Sequence, residues 1–150
     1  MSIQALVFSL VAFLVGAALS VQAPINAVAS ARIGHPLAGA TLSFVVGTIF
    51  LLVVTLLVTR GNVAWGNVAS MPPMLWLGGV LGAIYITVAI VLTPVIGVGA
   101  LIALAIAGQI TAGLMLDHYG FLGIVHHEIT AGRVLGAVLV VVGALMVRFL

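Results

Sequence analysis

Apolar residues along this chain come in long unbroken runs, set off by a few breaks that contain glycine, proline or charge. A helix across the hydrocarbon core of a bilayer needs about 20 such residues, and five runs of that kind can be marked: 3–29, 37–58, 74–93, 97–116 and 131–149. The breaks read ARIGHP, RGNVAWGNVASMPP, the short TPVIG and the longer DHYGFLGIVHHEIT. Pro36 and the pair Pro72 and Pro73 sit where prolines open helices, just before or inside the first turn. Membrane β-strands would instead need short alternating segments. The pattern predicts an all-α integral membrane protein, one five-helix domain over residues 1–150 with no internal duplication.

Composition sharpens that reading. Hydrophobic residues make up 65% of the 150 positions, charged residues 4%, and the mean hydropathy is +1.49, whereas soluble domains carry roughly a quarter charged residues. The net charge of +2 comes from four arginines against Asp117 and Glu128, with no lysine and no basic run, which argues against a nucleic-acid partner. With no cysteine, disulfides, thiolate-metal sites and cysteine nucleophiles are excluded. The N-terminus is apolar from Ile3 with no preceding Lys or Arg, and SVQAP imitates a cleavage site poorly, so no removable signal is expected.

Orientation should follow the arginines, since cytoplasmic loops normally hold the surplus of positive charge. With five spans, Arg60 and Arg133 face one side and Arg32 and Arg148 the other. This balance gives little electrostatic preference for one insertion. The expected consequence is dual topology, unless a helix end or the insertion machinery decides. An antiparallel dimer would then hold ten helices about a two-fold axis in the membrane plane, the inverted-repeat arrangement of many secondary transporters.

Isolated polar residues inside the runs are the candidate chemistry. Gln22 and Asn26 lie four apart, on one helical face that Ser30 continues, with Pro24 between them removing a backbone N–H. Amides in a membrane either hydrogen-bond a neighbouring helix or line a hydrated cavity, and this stretch alone leaves both open. Gly39, Ser43 and Gly47 repeat the spacing in the second run, and Gly78 and Gly82 lead to Tyr85 near the middle of the third. The fourth stacks Gln109, Gly113 and Asp117, and the fifth opens with Gly132 and Gly136. Asp117 comes after about 20 apolar residues and is expected near the interface, as a solvated carboxylate or as a gate or proton site.

His118, His126, His127 and Glu128 crowd one connection, but their spacing matches no standard metal site. Neither a metal nor a cofactor is expected. Only two carboxylates exist, and they form no pair inside a span, nor is there a recognisable Ser, His and Asp spacing or phosphate loop, so no enzyme activity is expected.

VQAPINA, SFVVGT, LWLGGVLGAIYIT, AGQITAGLMLDHYG and GRVLGAVLVVVGALMV occur in this order from about Val21 to Val147. Together they resemble the YdcZ-like family of the drug/metabolite transporter superfamily. The resemblance implies a bacterial inner-membrane protein of five helices, with relatives that occur as antiparallel dimers or fused ten-helix forms. It places Gln22, Asn26, Ser43, Tyr85, Gln109 and Asp117 on polar positions of the family motifs. Small multidrug exporters of the same superfamily use a membrane-embedded glutamate, and no such residue lies inside a run here.

The expected function is secondary transport, most simply export, of a small polar organic solute by alternating access at the interface of an antiparallel homodimer. Gln22, Asn26, Ser43, Tyr85 and Gln109 would bind a neutral or zwitterionic solute, and Asp117 would gate or carry a proton. A dual-topology small-ion channel, or an accessory subunit that needs a homologous partner chain in a heterodimer, are the alternatives. The expected partners are therefore the solute, the bilayer and a second chain.

Overall fold

The computed structural model describes residues 3–120 and 125–150, so residues 121–124 of the DHYGFLGIVHHEIT connection lie outside it. Among the described residues there are five long helices and no strand: α1 (Ile3–Ile33), α2 (Pro36–Thr59), α3 (Leu77–Ile96), α4 (Val98–Tyr119) and α5 (Ala131–Phe149). All five are long and apolar enough to cross a membrane, the third counted from Pro73.

Local chemistry sets the helix ends. Gly34, at φ 92°, closes α1 with its N–H on the carbonyl of Ser30 at 2.9 Å. Two residues later Pro36 opens α2, and the Nδ1 of His35 caps it by accepting from the N–H of Leu37 at 3.2 Å. Arg60 takes a left-handed conformation at the end of α2, followed by Gly61 at φ 80°. Short 3₁₀ turns at Trp65–Ser70 and Pro73–Trp76 fill the connection to α3.

Two prolines expected to disturb the helices leave them continuous. Pro24 sits inside α1 without ending it, and α3 continues through Thr93 and Pro94 to Ile96, three residues past the expected end of the third span. A proline forfeits only one hydrogen bond. The actual break is Gly97, whose φ of 81° no L-residue adopts readily.

Packing divides the chain into two units, Met1–Thr93 and Pro94–Leu150. In the first, α1 and α2 form a close antiparallel hairpin and α3 contributes buried Ala89, Ile90 and Thr93. In the second, α4 packs along α5, burying Ala100, Leu101, Ala107 and Ala144. Small residues dominate both sets, as they do where membrane helices approach closely. Large apolar side chains on all five helices remain exposed, the pattern of a surface solvated by lipid.

Candidate functional site

The two stripes at four-residue spacing meet each other in the first unit. On α1, Asn26 and Ser30 are buried and Gln22 is half-buried. Ser30 lies against Gly39 of α2 near the turn. Two turns further from it, Gln22 shares a cleft of about 230 Å³ with Ser43, Phe44, Gly47, Thr48, Leu51 and Ile86. A second cleft of about 300 Å³ lies beside it, lined by Thr41, Thr87 and apolar residues; Phe44 and Thr48 border both. The ring of Phe44 rests against Gly82 of α3, where an added Cβ would lie 3.4 Å from its tip.

Hydroxyls in these helices divide into two classes. Thr41, Thr87, Thr93 and Thr111 each donate to the carbonyl four residues back, at 2.7 to 2.8 Å, the usual way to satisfy a hydroxyl in lipid. Gln22, Ser43 and Thr48 make no side-chain hydrogen bond with any described residue. Three polar groups on two helices thus present donors and acceptors to one cleft, with an aromatic ring as its wall.

The structure brings together Gln22 and Ser43 from the sequence-based set, with Asn26 on the same face of α1. Tyr85 is 45% exposed and borders neither cleft, although its neighbour Ile86 does. Gln109 is exposed on α4 in the second unit. Phe44 and Thr48 were missed by sequence reasoning. They form an i, i+4 pair one residue along from Ser43 and Gly47, a spacing that does not say which way α2 is rotated.

Asp117, in the last turn of α4, is neither a free carboxylate nor deep in the span. Its Oδ2 accepts from Nη2 of Arg133 in the first turn of α5, with the two side chains 30% and 34% exposed. Nη1 of Arg133 donates to the carbonyl of Glu128 at 3.3 Å, and its backbone N–H is capped by the hydroxyl of Thr130 at 3.3 Å. The main-chain carbonyl of Asp117 accepts from the N–H of His127 at 3.0 Å. Each charge sits at the helix end whose dipole disfavours it, a carboxylate at a C-terminus and a guanidinium at an N-terminus. Their pairing offsets both. No cluster of three metal-ligating side chains occurs among the described residues.

Residues 7–146 of the chain match a known family model, described as "Putative inner membrane exporter, YdcZ". The chain belongs to the YdcZ family. It is accordingly a multi-pass inner-membrane protein and a membrane transporter. No curated protein and no solved structure matches the chain. Within this YdcZ chain the cleft between α1 and α2 holds the uncommitted side chains of Gln22, Ser43 and Thr48, and the Asp117–Arg133 pair ties the ends of α4 and α5.

Proposed function

We propose that the protein is a secondary transporter that exports a small polar organic solute by alternating access, working as an antiparallel homodimer of five-helix protomers. The observation that carries this reading is the cleft in which Gln22, Ser43 and Thr48 leave their hydrogen-bonding groups uncommitted beside Phe44. The back-bonded threonines, by contrast, have committed their hydroxyls to their own helices.

The cleft is open-sided, and its volume of about 230 Å³ is below the roughly 300–1,000 Å³ usual for small-molecule sites. A second copy related by a two-fold axis would double the polar lining and close it. Asn26 and the exposed Tyr85 join the proposed site in that dimer, and the exposed Gln109 of the second unit is a further polar side chain available for a solute. Asp117, held by Arg133, closes one end of the α4–α5 hairpin as a gate. The even division of Arg60 and Arg133 against Arg32 and Arg148 is compatible with insertion in both directions.

The test is topology. Single cysteines at Asn62 and Leu150 are labelled from outside intact cells and again after permeabilisation, in a chain with no native cysteine. Labelling of each site in about half of the molecules is the expected result for balanced insertion. Labelling of each site from one side only rules out the antiparallel homodimer and requires an oppositely oriented partner chain.

A further inference from the structure

Every Asp, Glu, Arg and His of the chain lies at a helix end or in a connection. Arg32 is in the last turn of α1, His35 caps α2 and Arg60 ends it, and Arg148 is in the last turn of α5. Asp117 and His118 occupy the last turn of α4, Arg133 the first turn of α5, and His126, His127 and Glu128 the segment before α5. The single carboxylate on a span is therefore the one already engaged by Arg133.

From this placement we propose that the transported solute carries no ionised group, and that its passage is not driven by proton exchange on a carboxylate within the spans. The proposal rests on the carrier reading above and names its substrate class and coupling. An ion brought to the bilayer midplane loses its hydration and needs an opposite charge or a ring of strong dipoles in exchange. The cleft supplies an amide, two hydroxyls and an aromatic face, groups that replace the hydration of hydroxyls and amides but leave an ion under-compensated. A second identical copy adds the same neutral groups and no counter-charge.

Asp117 is committed to its neighbours at the end of α4. Its carboxylate faces the guanidinium of Arg133, its main-chain carbonyl holds His127, and Arg133 is in turn held by the Glu128 carbonyl. His118, Tyr119, His126, His127 and Glu128 are the other titratable groups at this end, and all of them lie outside the middle of the spans. Protonation of Asp117 would break a contact that both helix ends need. The carboxylate thus serves the hairpin, and no other acid on a span is present to shuttle a proton.

The purified protein in liposomes distinguishes these possibilities with isotope-labelled probes: erythritol and ribose as uncharged polyols, proline as a zwitterion, tetraethylammonium as a cation and gluconate as an anion. The expected result is saturable uptake of a polyol, unchanged under valinomycin-imposed potentials of either sign and under pH gradients of either sign. Gln22→Ala and Thr48→Val should each lower that uptake about tenfold, the factor of one lost buried hydrogen bond, with helical circular dichroism retained. Saturable movement of tetraethylammonium, gluconate or proline, or polyol uptake that follows the pH gradient, overturns the inference and leaves the carrier intact. Absence of saturable uptake for all five probes overturns the inference and the carrier reading together.

Discussion

Ser30 on α1 and Gly39 on α2 approach so closely that a Cβ added at Gly39 would lie 2.9 Å from Ser30 Cα and 2.8 Å from Ser30 Cβ. Backbone, not a flexible side-chain tip, would have to move. The contact lies one turn from the Gly34–Pro36 connection, so it fixes the angle at which the hairpin opens toward the Gln22 cleft. Gly39→Ala should therefore destabilise the protein by about 1–3 kcal/mol, the usual cost of overpacking, and lower its melting temperature in detergent. Gly16→Ala is the control: an added Cβ there meets nothing within 4 Å, and α1 gains helix propensity.

The same contact predicts a change of opposite sign. The Ser30 hydroxyl is buried and has no hydrogen-bond partner. Ser30→Ala removes that unsatisfied group, whose desolvation costs about 1–3 kcal/mol, and should raise the melting temperature. A fall instead would show that the hydroxyl is paired in the membrane-embedded protein.

Asp117 and Arg133 invite a charge exchange. Both oppose the dipole of their own helix, so Asp117→Arg combined with Arg133→Asp keeps an ion pair and places each charge where the dipole favours it. Each favourable placement is worth about 0.3–1 kcal/mol, and the exchanged protein should unfold at least as high as the original. Either single change leaves two like charges facing each other and should unfold lower. A double-mutant cycle with Asp117→Asn and Arg133→Gln should give a coupling near the 0.2–1 kcal/mol or so typical of partly exposed pairs, falling with salt.

Phe44 borders both clefts of the first unit, which makes it the residue whose size should decide which solutes fit. Phe44→Ala merges the clefts and should raise the KM of saturable uptake more than it lowers the maximal rate. Phe44→Leu keeps most of the wall and should fall between the two. A loss of maximal rate alone would mean that the ring acts in the conformational step.

Much of this arrangement was legible in the chain. Run lengths gave all five spans, and the i, i+4 stripes of Gln22, Asn26 and Ser30 and of Gly39, Ser43 and Gly47 proved to be the facing sides of one hairpin. Spacing alone could not show that Phe44 and Thr48 join the cleft, because their exposure depends on how α2 is rotated against α1. Nor could it pair Asp117 with Arg133 sixteen residues away, since that needs the path of the return segment. A proline in a helix's last turn, as in TPVIG, is easily read as the helix end, whereas the positive φ of Gly97 is a conformational fact with no periodicity to announce it.

The α2–α3 connection contains no charged residue from Gly61 to Trp76, and both tryptophans of the chain lie in it. Trp65 and Trp76 are 53% and 55% exposed, joined by exposed Met71 between the two 3₁₀ turns and by Met74 and Leu75 on the second. An aqueous loop would leave these apolar faces in water, whereas indole rings favour the headgroup level, about 15 Å from the midplane of a 30 Å core. The single-tryptophan variants Trp65→Phe and Trp76→Phe should both show blue-shifted emission. Bromines near the headgroup end of the lipid chains should quench them more strongly than bromines near the chain terminus. Red-shifted, unquenched emission from the Trp76→Phe variant, which retains Trp65, would place that half of the connection in water and leave only the start of the third span at the interface.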